Sequence, residues 1–176
     1  MESLLFLRSL DIAGFKSFAR PVHIELPSGI AALVGPNGSG KSNVVDAVRW
    51  CLGEQSMRDL RGQKAEDIIH AGPRRSLGSA EVSLSFETND SADPISHLTV
   101  TRRLYRSGES EYVVDRQKVR LRDLVDALRN AGIDSSRQVV VNQGMADALL
   151  AASPLERRLA IEQAAGLEGY RARRDE

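Results

Sequence analysis

Cysteine is almost missing from this chain: Cys51 is the only one. No internal disulfide can form, and a lone thiol suits a reducing cytoplasm. Net charge is missing too, because 24 basic side chains balance 24 acidic ones. The whole molecule therefore exerts little steering field, and any contact with DNA or a membrane surface has to come from a local patch. No apolar run approaches the ~20 residues of a membrane span, so no membrane contact is expected. The opening MESLLFLRSLDIAGF sets Glu2 ahead of an alternating segment, unlike a secretory signal. Repeats and low-complexity tracts are lacking as well. His23, His70 and His97 stand apart in sequence, and their spacing supports no zinc site. What remains is an ordinary globular composition, 41% hydrophobic and 27% charged over 176 residues, enough for a proper core.

Against these absences stands one dense motif. Gly35-Pro36-Asn37-Gly38-Ser39-Gly40-Lys41-Ser42 satisfies G-x-x-x-x-G-K-[ST], the phosphate-binding loop. Ahead of it, Ile30-Ala31-Ala32-Leu33-Val34 is an uninterrupted apolar run, which predicts a buried parallel strand. Behind it, Val44, Val45, Ala47, Val48, Cys51 and Leu52 recur at helical spacing and predict one packed face, with Gly53 as the stop. Cys51 on that face reads as a buried structural thiol, and Trp50, one position off it, as partly covered. Gly35, Gly38 and Gly40 let backbone N–H groups curl around phosphate oxygens without Cβ clashes. The helix opening near Lys41 adds its positive dipole end. Lys41 is placed to reach the β- and γ-phosphates, and the Ser42 hydroxyl to ligate Mg²⁺.

The rest of the chain supplies a frame. EVSLSFETND alternates and reads as a strand with its turn. Leu98 to Leu121 alternates around Ser107-Gly108-Glu109-Ser110 and predicts a β-hairpin. Lys118, Arg120 and Arg122 are two apart, so an extended backbone would put them on one face, with Lys64 a possible neighbour. Such local basic density is what contact with a DNA phosphate backbone requires. A solvated hairpin edge, where cations discourage strand pairing, explains the same residues. From Pro154 the pattern turns helical, with Ser153 as N-cap and Glu156 completing a capping box. The boundaries are thus 1–153 for a nucleotide-binding lobe and 154–176 for the start of a further helix.

Five separated segments, GFKSF, GPNGSGKSN, LRG, the QG pair and ERR…AAG, occur in this order. Together they closely resemble the N-terminal half of the head domain of the bacterial form of SMC proteins, the chromosome-organising ATPases. The resemblance starts near Leu5 and departs in detail at Gln163 and at Met145-Ala146, away from the phosphate loop. It implies an α/β fold, the N-terminal lobe of an ABC-type P-loop NTPase with a mixed sheet around the phosphate-loop helix, ending in the start of a coiled-coil arm. It also implies ATP and Mg²⁺ as cofactors. Lys41, Arg61 and Gln143 become the residues acting on the nucleotide, Arg61 in an arginine loop and Gln143 in a glutamine loop that also meets Mg²⁺. Asp67, with the neighbouring His70 and Lys16, falls beside the adenosine. The implied partners are the C-terminal half of the head, a second head engaged through ATP in a homodimer, DNA, and a kleisin-type subunit, in a cytoplasmic, nucleoid-associated setting.

No apolar run ends in Asp-Glu, so the chain lacks the Walker B acid that would activate water. On its own it is expected to bind ATP poorly and not to turn it over. Other readings of the same residues are a head fragment of a coiled-coil DNA-repair ATPase, a small P-loop kinase, and a DNA-binding module resting on the hairpin arginines. The kinase would need its own Walker B acid and a lid.

Overall fold

The structure is a computed structural model that describes residues 5–56, 60, 64–72, 77–88, 97–133 and 151–158. The chain divides into two units, Met1–Ile133 and Asp134–Glu176. In the first, the elements run β1 (Leu5–Ala13), β2 (Val22–Glu25), α1 (Lys41–Cys51), a 3-10 turn (Ala65–Ile68), β3 (Ser79–Thr88), β4 (His97–Tyr105), β5 (Ser110–Val114), β6 (Gln117–Val119) and α2 (Leu121–Asn130). The six strands form one sheet in the order β2-β1-β3-β4-β5-β6. Every pairing in it is antiparallel.

Alternation builds the sheet's buried face. On β3, Ala80, Val82, Leu84 and Phe86 point into the core, and on β4 Leu98, Val100 and Leu104 do so. Each of these valine, leucine and phenylalanine side chains contributes about 1.5–3 kcal/mol by leaving water. β1 changes phase midway: Leu5 and Leu7 pack at the core margin, whereas Leu10 and Ile12 are 1% exposed. The register shift between Leu7 and Ser9 produces this change, since one extra residue turns the following side chains to the other face.

α1 packs on β3 and β4, and α2 packs against β5. The buried face of α1 is Ala47, Trp50 and Cys51 together with Asp46, so the expected stripe is rotated. Val45 is 43% exposed, while Trp50, expected to be partly covered, is 1% exposed against Phe15 at 5.3 Å. The aromatic ring wins the interior because it buries far more apolar area than a valine. Cys51 is the structural thiol expected. It donates to the Val82 and Val100 carbonyls at 3.3 and 3.4 Å, and burial pushes its pKa up to about 12.

The predicted hairpin forms between β4 and β5, turning where expected, with Tyr105 N–H donating to Glu109 at 2.9 Å. A second tight turn follows at Asp115 and Arg116, both at positive φ, and adds β6. The predicted strand at 30–34 does not form. Residues 30–36 carry no regular structure, with Ile30 99%, Val34 86% and Leu33 50% exposed. A buried parallel strand needs neighbours on its edges and cover on both faces. Among the described residues the strands pair with one another instead. The α/β lobe with its sheet on the phosphate-loop helix stands, without the parallel component expected from this run.

In the second unit, described over 151–158, Ser153 and Glu156 form the predicted capping box. Ser153 N–H donates to Glu156 Oε2 at 2.7 Å and Glu156 N–H to Ser153 Oγ at 3.4 Å. The Ser153 hydrogen bonds hold the Glu156 carboxyl below its ordinary pKa. Among the described residues no helix is long and apolar enough to cross a membrane.

Candidate nucleotide-binding site

The phosphate loop runs directly into α1. Gly40 is the N-cap, at φ 93° and ψ 6°, a left-handed conformation that suits glycine. Space demands glycine there as well, because a Cβ would lie 2.8 Å from Ser17 Oγ and 3.7 Å from the Phe18 ring. Gly38 is also at positive φ, 81°, with open space around it. Lys41 Nζ folds back across the loop and donates to the Gly35 and Pro36 carbonyls, each at 2.7 Å. No acidic residue lies in the first turn of α1. A cation at a helix N-terminus opposes the dipole, and an anion held between the two removes that conflict. The cradle therefore fits a phosphate, with the ammonium at its mouth and the Ser42 hydroxyl one residue into the helix.

The GFKSF turn forms the wall beside this loop. Ser17 Oγ accepts Asn43 Nδ2 at 2.9 Å, which fixes the turn to the first turn of α1. Phe15 pairs with Ile69, Lys16 N–H donates to the Ile68 carbonyl at 2.7 Å, and His70 N–H donates to the Gly14 carbonyl at 2.7 Å. The structure thus brings GFKSF and EDIIHAG together, as the resemblance implied. Asp67 is exposed beside them, its Oδ2 accepting Lys64 N–H at 2.8 Å. His70 takes a structural part, with its Nδ1 bonded to the Lys16 carbonyl at 2.6 Å. Arg61 and Gln143 lie outside the described residues.

The basic residues of the hairpin are arranged differently from expectation. β6 ends at Val119 and α2 begins at Leu121, so the two-residue repeat of Lys118, Arg120 and Arg122 is not carried on one extended face. Lys118 Nζ donates to Glu111 Oε1 at 2.6 Å and lies 3.8 Å from Glu109. That hydrogen bond raises the Lys118 pKa and lowers that of Glu111. Arg120 caps α2, its N–H donating to Asp123 at 3.2 Å, and Arg122 lies 3.9 Å from the same carboxylate. An α-helix starting at Leu121 breaks the alternation, because its neighbours in space are three and four apart.

Two buried charges went unread in the sequence. Asp46 is 3% exposed on α1, paired with Lys16 at 2.5 Å. Arg102 is 6% exposed and takes the place of an aliphatic in the inward series of β4. Its guanidinium stacks over Trp50 and Tyr112 at 4.6 and 5.0 Å and donates to the Trp50 and Glu54 carbonyls, both at 2.8 Å. It thereby satisfies the C-terminal end of α1. The available signal was an ionisable residue interrupting an apolar period, which demands a buried partner.

A glycine loop closing onto the first turn of a helix that packs on an antiparallel sheet defines the class: the N-terminal lobe of an ABC-type P-loop ATPase. Comparisons narrow the class. The RecF/RecN/SMC N terminal domain family matches residues 6–138, and the chain belongs to that family. It is 48% identical over 176 residues to the chromosome partition protein Smc of Clostridium kluyveri, an alignment covering 98% of this chain and 15% of that protein. The chain thus spans about 15% of the length of this relative. It superimposes with a TM-score of 0.77, at 33% identity, on an SMC ATPase described for ATP-driven dimerization and DNA stimulated activation, covering 90% of this chain and 98% of the other. With the Smc head of Pyrococcus furiosus, carrying an extended coiled coil and bound to the C-terminal domain of ScpA, the TM-score is 0.80 at 33% identity, covering 98% of this chain and 44% of that one.

Proposed function

We propose that the chain is the ATP-binding N-terminal half of an SMC head, which with a C-terminal half binds and hydrolyses ATP. The observation carrying this reading is the phosphate loop, with Lys41 across its carbonyls and Gly40 fixed against Ser17 at the N-terminus of α1. The loop from Gly35 through Pro36, Asn37, Gly38, Ser39 and Gly40 would cradle the phosphates, Lys41 would exchange its carbonyl partners for them, and Asp67 would face the adenosine. Mg²⁺, when bound, offsets phosphate charge, with Ser42 and Gln143 as its protein ligands. Arg61 would add a second cation to the phosphates.

The exposed apolar run at 30–34 supports the partnership, since a strand from the C-terminal half would give it an edge to pair with. ATP held between two heads would then drive head engagement, DNA entrapment and chromosome segregation, with a kleisin-type subunit attached. Duplex contact through Lys64, Lys118, Arg120 and Arg122 requires Lys118 to leave Glu111 for a phosphate. The relatives' ATP-driven dimerization, DNA stimulation and ScpA binding favour these partners.

The test is titration of a fluorescent ATP analogue into the chain alone, and into the chain with a C-terminal head half. Binding should tighten, and hydrolysis should rise above background, only with both halves, and Lys41→Ala should abolish both. Robust hydrolysis by the chain alone, or unchanged binding in Lys41→Ala, would sink the reading.

A further inference from the structure

Lys16 sits in the connection between β1 and β2 at φ 48°, a left-handed backbone that persists in a lysine only where its surroundings fix it. All of its polar groups are fixed, and to separate segments. Its N–H donates to Ile68 at 2.7 Å and its carbonyl accepts His70 Nδ1–H at 2.6 Å. Its ammonium donates to Asp46 Oδ2 at 2.5 Å and also to the Leu60 carbonyl. The Lys16 and Asp46 side chains are 11% and 5% exposed.

Each segment carries or adjoins a residue of the nucleotide site proposed above. Asp46 lies on α1, more than a turn beyond Lys41, Leu60 is a buried residue of the connection leaving that helix, and Ile68 and His70 follow Asp67, Ile68 closing its 3-10 turn. An ion pair of this kind is weak evidence for stability, because an apolar pair of similar volume often does as well. What an apolar pair cannot do is hold a carboxylate and a backbone carbonyl at one fixed spacing. We infer that Lys16 is a positioning residue, which locks the phosphate-loop helix to the Leu60 and Asp67–His70 segments so that the two sides of the nucleotide site keep one separation. The inference rests on the nucleotide-binding reading above.

The experiment compares Lys16→Met/Asp46→Leu, Lys16→Arg and Lys41→Ala with the parent, in the complete protein. It measures affinity for a fluorescent ATP analogue, KM and kcat for ATP, and thermal unfolding. The double variant removes both buried charges together, so it should unfold close to the parent. Its nucleotide affinity should fall and its KM rise between about 10-fold and 100-fold, as misplacement remote from the reacting atoms does. kcat should change less than KM, and Lys16→Arg, which keeps a cation, should recover part of the loss. A folded double variant with parental affinity and KM overturns the positioning role. If Lys41→Ala meanwhile loses binding, the nucleotide reading survives that failure. If Lys41→Ala also binds like the parent, the nucleotide reading itself falls.

Discussion

Val82 and Val34 are the same residue in similarly apolar company, yet Val82 is 0% exposed at the centre of β3 and Val34 is 86% exposed just ahead of the phosphate loop. The difference is in what stands beside them. β3 has β1 on one edge, β4 on the other and α1 over its face. The run containing Val34 has no strand partner among the described residues. Apolar character supplies the tendency to leave water, and a neighbouring edge supplies the place to go. One region of the lobe is finished in itself, and the other is left, among the described residues, without an edge to pair with.

The largest effect should come from placing a charge in the finished region. Val82→Asp buries a carboxylate against α1, opposite an Arg102 already committed to the Trp50 and Glu54 carbonyls, and should remove about 3–4 kcal/mol, enough to unfold a marginal lobe. Urea unfolding followed by circular dichroism checks this, and a stable, cooperative variant would contradict the packing described here. The same substitution at Val34 should barely alter the stability of the chain alone, within about 0.5 kcal/mol, since that side chain is already in water. It should instead abolish co-purification with a C-terminal head half. Retained co-purification would show that the exposed run is not the joining edge.

The smallest effect concerns the sheet margin. His23 Nδ1 lies 2.7 Å from Asp11, and that hydrogen bond raises the His23 pKa above its ordinary 6.5. A raised folded value means the stabilisation is present in full below the unfolded pKa and is lost as pH rises through the folded one. The Tm gap between parent and His23→Gln should therefore be widest near pH ~5.5 and close by pH ~8, a small gap at so exposed a pair. A gap that widens toward alkaline pH would reverse the assignment.

Local patterns were the legible part. The alternation of EVSLSFET, the turn at 107–110, the phosphate loop with its helix, and the Ser153–Glu156 box each depend on neighbours in sequence, and each is present, while the turn expected at Asn89-Asp90 lies outside the described residues. What went unread depends on distant partners. β2 is four residues long and carries too little pattern to stand out. α2, LRDLVDALRN, follows a strand directly, and its first residues were absorbed into the alternation of the hairpin. The turn at Asp115-Arg116 uses positive φ without the glycine that usually announces it. Trp50 displaced Val45 from the buried face of α1 because Phe15 and Arg102 converge on its ring from other elements. Of the site, the cradle was readable, whereas the Lys16–Asp46 link spans residues too far apart in sequence to be paired by eye.

Trp50 is the chain's sole tryptophan, buried with Phe15 on one side and the Arg102 guanidinium over its ring. Its indole is therefore an optical reporter built into the helix that begins at Lys41. A nearby cation and a dry surrounding both govern indole emission. Any shift of that helix against β4 would change the wavelength or intensity of the emitted light. Movement of α1 can thus be followed in the unlabelled protein, at a position more than two helical turns beyond Lys41.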